Sequence, residues 1–193
     1  MRNLLFDTMN RLELALRRGA LDSVERRLFK QLESLPKSPF HIILQLSISN
    51  NPTDAARYFD KFLTGATRHV GIRAAYTEMN GFDINPDRWF CSVFGYRKNG
   101  GQRDFDWLSN WQAENSSVYE IKGLKRLQNV YASDAFHEQK YRDAATICGL
   151  LVVVKFQQFI KAASAHMKAL QFPLYVTAHD YDFIAVVRPP RRA

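Results

Sequence analysis

Cysteine is scarce: Cys91 and Cys148 are the only two, they sit in separate apolar runs, and neither belongs to a CxxC pair. A disulfide framework and a cysteine-rich zinc site are thereby disfavoured, and buried free thiols in a reducing compartment are the expectation. Long hydrophobic runs are missing too. The most apolar stretch, Cys148 to Val154, meets Lys155 after seven residues, far short of the roughly 20 that cross a bilayer. The opening Met1-Arg2-Asn3-Leu4-Leu5-Phe6 reaches Asp7 before a signal-peptide core accumulates. A cytoplasmic chain without a membrane span is expected from these features.

The usual catalytic signatures are absent as well. No GxxxxGK[ST] phosphate loop, no GxGxxG dinucleotide turn and no GxSxG nucleophile elbow occurs. His137-Glu138-Gln139-Lys140-Tyr141 opens like a zinc-protease helix, but Tyr141 stands where the second histidine must be, one turn on. The five histidines stand singly in different segments, without ligand spacing. There is no helix-turn-helix, RNP or zinc-finger pattern, no internal repeat and no low-complexity linker, so residues 1–193 read as one domain with no cofactor and no metal site.

What the chain has in quantity is apolar and aromatic surface, 46% and 13% of its residues, enough to offset the entropy of ordering 193 residues. It also has basic charge, net +8, unevenly spread. Residues 1–40 hold eight Lys/Arg and five Asp/Glu, residues 41–121 eight and nine, and residues 122–193 eleven and five. The two ends are basic and the middle is neutral.

Periodicity supplies the elements. Leu5, Thr8, Leu12 and Leu16 predict a helix over Asn3–Arg18, and Val24, Leu28, Leu32 and Leu35 a second from Asp22, ended by Pro36 and Pro39. Residues 1–38 are thus a helical hairpin. The region 39–122 reads as rich in strands and aromatics: a first strand over Phe40–Ile48, a helix capped by Asn50 or Asn51 with Pro52 in its first turn and closed at Gly65, then an antiparallel pair over Val70–Thr77 and Arg88–Lys98. Asn99-Gly100-Gly101 is a turn, Trp107, Leu108 and Trp111 share a short helical face, and Val118–Ile121 is a brief strand. Residues 123–188 supply a short helix around Leu124–Tyr131, a long one from Ser133 or Asp134 carrying Val152, Phe156, Phe159, Ile160, Ala163, Met167 and Leu170, and a closing hairpin of Leu174–Ala178 and Phe183–Val187. A basic tail, 189–193, follows. Strands and helices do not alternate regularly, so the fold class is α+β, a mostly antiparallel sheet of about five to six strands packed with helices.

Three functions are compatible with these residues. Trp107, Trp111, Tyr96 and Tyr119 belong to an aromatic middle segment, and Trp and Tyr anchor protein interfaces, so a non-catalytic protein-binding or accessory module, of the kind neutralising and immunity proteins exemplify, is the leading expectation. Its partner is an unidentified protein, with homo-oligomers left open. The alternative is nucleic-acid binding through Arg17, Arg18, Arg26, Arg27, Lys125 and Arg126, should the fold gather them into one patch. A metal-dependent hydrolase would draw on Asp104 and Asp106, which lie on one side of an extended segment, or on His179 beside Asp180.

Overall fold

The computed structural model describes residues 4–189. Helices α1 (Leu4–Arg17) and α2 (Leu21–Glu33) make the N-terminal hairpin, burying Leu12 and Leu16 against Val24, Leu28 and Leu32. Asp22 lies inside the first turn of α2 rather than capping it, where a carboxylate still complements the helix dipole.

The segment 40–48 is not the expected strand. Pro39–Gln45 winds into a 3-10 turn that buries Phe40 and Ile43, three positions apart, whereas a strand would bury alternate residues. Local capping overrides the β-propensity of the isoleucines. The backbone N–H of Ser38 donates to His41 Nδ1 at 3.2 Å, and His41 Nε2 meets the Leu32 carbonyl oxygen at 2.9 Å, tying the turn to the end of α2.

Helix α3 (Pro52–Val70) starts where Asn51 and Pro52 predict, with Asn51 Oδ1 accepting from the Thr53 N–H at 2.8 Å. It runs through Gly65 and stops only at the left-handed Gly71. Strands β1 (Ala74–Met79) and β2 (Phe90–Tyr96) then pair antiparallel. Two short strands, β3 (Ala113–Glu114) and β4 (Tyr119–Glu120), both pair with β2. After helix α4 (Lys125–Tyr131), two 3-10 turns occupy Asp134–His137 and Gln139–Tyr141, where the long helix was expected to have begun. Helix α5 spans Arg142–Ser164, so Met167 and Leu170 lie beyond it, buried all the same. Strands β5 (Leu174–Ala178) and β6 (Ala185–Val187) close the chain as an antiparallel pair.

The sheet order is β3-β2-β1-β5-β6, with β4 beside β3 on β2. It is mixed: β1 and β5 are parallel, and the other pairs are antiparallel. Helix α5 lies on one face among α1, α2, α3, β5 and β6. Every residue from Ile147 to Val154 is buried, and the run Val152-Val153-Val154 is helical because packing on all sides outweighs the mild helix penalty of β-branching. The span 139–164 is long and apolar enough to cross a membrane, yet 72% of its most apolar window is buried within the fold, as suits a core helix. Lys155 of α5, its side chain largely buried, reaches Glu25 of α2 at 3.0 Å. Gln157, also buried, donates from Nε2 to the carbonyls of Val176 and Phe183 and so fastens the closing hairpin to α5.

Candidate functional site

Alternation along the strands sends Ala75, Met79, Cys91, Val93, Leu174 and Val176 into the helical core and a second set to the outer face. No helix crosses that face among the described residues. It is covered in part by the 97–112 connection, which folds back so that Trp107 packs edge-on against Tyr96 (4.8 Å between ring centres) and Tyr175 (5.1 Å). The indole lies so close to Gly100 that a Cβ there would overlap it, which is why a residue without a side chain stands at 100. Trp107 Nε1 donates to the Gly101 carbonyl at 3.2 Å, and the Tyr96 hydroxyl to that of Leu108 at 2.7 Å. Burial first, and then Glu78, push the Tyr96 phenol well above its usual range, so it acts here only as a neutral donor.

Of the four aromatics singled out in the sequence, Tyr96 is buried beneath this cover and Trp107 forms it. Tyr119 sits on the opposite side of the sheet, between Tyr58 and Phe159. Trp111 is the one presented to solvent, 47% exposed and leaning on Phe94 at 5.2 Å. Nearby, Tyr76 stacks on Phe94 beside Phe105 and Leu108 of the cover, Phe90 is half-buried, and the Arg88 guanidinium lies 5.8 Å above the Phe90 ring. An exposed tryptophan beside phenylalanine, tyrosine and arginine is the composition that anchors protein interfaces.

The candidate hydrolase residues separate into two places. Asp104 Oδ1 accepts from the Asp106 N–H at 2.8 Å, a local turn that starts the 3-10 segment Asp106–Ser109. His179, at the far end of β5, meets Glu78 at 3.3 Å through Nδ1 and Asp180 at 3.7 Å through Nε2, while the Tyr76 hydroxyl donates to the other oxygen of Glu78 at 2.6 Å. His179 thus has a carboxylate neighbour, Glu78, that linear spacing did not suggest. Among the described residues no three histidine, cysteine, aspartate or glutamate side chains gather as metal ligands would.

The basic residues converge in part. Arg17 and Arg18, at the end of α1, line one 420 Å³ cavity with Lys161 of α5 and Arg188, which follows β6. Arg27 instead lines a groove between α1 and α2 with Arg11. Arg26 neighbours it on α2, while Lys125 and Arg126 lie on α4, which packs against the 3-10 turn beyond the far end of α2. Arg191 and Arg192 of the tail lie outside the described residues.

A third feature carried no sequence signal. The buried Tyr131 hydroxyl has only the Cys148 thiol beside it among the described residues and lines a 330 Å³ cavity with Tyr181, His137 and Arg142. Burial pushes the Cys148 thiol up to about 12. Compared with protein-family models, with curated proteins and with solved structures, the chain matches none.

Proposed function

We propose that this chain is a non-catalytic protein-binding module whose docking surface is the outer face of its sheet, centred on Trp111. The observation that supports this reading is the partial cover: the 97–112 connection packs over Tyr96, Tyr175 and Tyr76 but turns its own Trp111 outward against Phe94, while half-buried Phe90 and exposed Arg88 stand at the start of β2. A large exposed aromatic beside half-buried ones is costly to leave in water and is retained where a partner covers it.

The test is capture from native cells followed by reconstitution. Wild-type protein and the Trp111→Ala and Phe90→Ala variants are immobilised, the retained protein is identified and purified, and the complex is rebuilt from the two pure components. A stoichiometric complex that either variant weakens by at least about tenfold, as hot-spot loss predicts, supports the reading. A chain that retains no stoichiometric partner but turns over a substrate overturns it.

A further inference from the structure

Strand β6 is the last strand on its side of the sheet, and outside its ladder with β5 the backbone of residues 184–188 makes no backbone hydrogen bond among the described residues. A bare edge of this kind is a template for a further strand. Two cavities lie end to end along it, sharing Arg17 and Gln102: one of 170 Å³ beside residues 182–184, the other of 420 Å³ beside residues 185–188. The end of α1 walls both, Gln102 and Phe105 of the connection after β2 face it across the smaller, and Gln102 with Lys161, Ser164 and Ala165 at the end of α5 across the larger.

The two ends of this groove differ in chemistry. The smaller cavity has an apolar wall of Phe6, Met9, Leu16, Phe105 and Ile184, with Phe6 60% exposed, and carries Asp182 and the Arg17-bound Glu13 beside it. The larger is ringed by Arg17, Arg18, Lys161 and Arg188 over Leu21 and Val187. Arg17 is engaged with Glu13 at 2.6 Å, and Lys161 donates to the Gly19 carbonyl at 3.3 Å. Arg18 and Arg188 are exposed and have no carboxylate partner among the described residues. We infer that this groove receives an extended acidic segment of a partner protein, which adds as a strand to β6, sets its acidic side chains against Arg18, Lys161 and Arg188 and places an apolar side chain in the cavity between α1 and Ile184.

Charge complementarity chooses the occupant. The chain's own Arg191 and Arg192 carry the same sign as the ring and offer it no charge complement. A nucleic acid would find phosphate contacts at the ring, but it has no use for the apolar wall or for unpaired strand amides. An acidic, alternating peptide uses all three. The inference rests on the protein-binding reading while naming a surface separate from Trp111, so each can fail alone.

The probe is a fluorescein-labelled synthetic peptide alternating glutamate and valine, titrated by anisotropy against the whole chain, with a lysine-for-glutamate peptide and a labelled oligothymidylate as comparators. The expected result is saturable binding of the acidic peptide only, slowed amide exchange at residues 184–188 in its presence, and about tenfold weaker binding for Arg18→Glu and for Arg188→Glu, the loss expected of a charge contact turned repulsive. Circular dichroism confirms that both variants fold, and Trp111→Ala should bind the peptide like wild type. Absence of acidic-peptide binding, or binding without protection of residues 184–188, overturns the inference. Tighter binding of the oligonucleotide through the same arginines overturns it in favour of nucleic acid. Loss of partner capture by Trp111→Ala with peptide binding intact separates this surface from the aromatic face.

Discussion

Replacing Gly123 with alanine should destabilise the protein far more than an exposed loop substitution normally does. Gly123 has φ +97°, a conformation that costs an L-residue about 1–2 kcal/mol. An added Cβ would also overlap the Ser47 carbonyl oxygen and stand 2.7 Å from the Ser49 nitrogen. These are backbone atoms, and they are held: the Ser49 N–H donates to the Lys122 carbonyl at 3.0 Å, while Asn50 accepts from the Lys122 N–H at 2.7 Å and donates to the Glu120 carbonyl at 2.9 Å. Relief therefore requires breaking a clasp between the 47–50 and 120–123 segments, comparable to the 1–3 kcal/mol of an overpacked site. Together the two effects come to about 2–5 kcal/mol, which for a chain of this length lowers Tm by about 10 °C at mid-range. Gly65, inside α3 with nothing within 4 Å of its would-be Cβ, is the control. Gly65→Ala should gain about 1 kcal/mol from helix propensity and raise Tm slightly. Thermal melts followed by circular dichroism read both. A Gly123→Ala protein that melts within about 2 °C of wild type would refute the clasp, because the backbone strain alone should exceed that shift.

Three other outcomes follow from the same geometry. Lys155→Met should cost about 2 kcal/mol in denaturant melts, because it strands Glu25, whose side chain is 22% exposed, against α5, and Gln158 supplies only one remaining bond. Burial pushes the Cys91 and Cys148 thiols from 9.0 up to about 12, so neither should react with a thiol reagent at neutral pH unless the protein is denatured. The native state holds those protons more tightly than the unfolded chain does, so the stability they contribute is intact below pH 9 and drains as pH rises toward 12, at about 1.4 kcal/mol per pH unit for each thiol. Trp111→Ala should leave the melting curve within about 1 kcal/mol of wild type while abolishing partner capture, since a half-exposed ring contributes little to the core.

Elements with local chemistry could be read directly from the residues. Asn51-Pro52 marked the start of α3, and the leucine spacing marked the hairpin. Segment 40–48 misled because its isoleucines favour a strand, while the deciding contacts, Ser38 to His41 and His41 to Leu32, involve a histidine acting as a cap. For the candidate site the aromatic surplus was visible but its partition was not. Trp107 and Trp111 are four residues apart, yet one seals the face and the other is presented, a difference made by the backward fold of the connection onto Gly100. The meeting of Arg17 and Arg18 with Arg188 depends on α1 lying along β6, and Glu78 reaches His179 only because β1 and β5 are neighbours. Neither pairing has a signature in linear spacing.

The parallel match of β1 with β5 has a consequence for how the chain comes off the ribosome. Residues 74–79 leave the ribosome about 100 residues before their companion at 174–178, and α2 likewise long precedes α5. Until then Leu28, Leu32, Ala75 and Met79 lack the part of their cover that α5 and β5 supply, which exposes apolar surface on the nascent chain. The ladder of β1 with β5 therefore closes only after the intervening chain has been made.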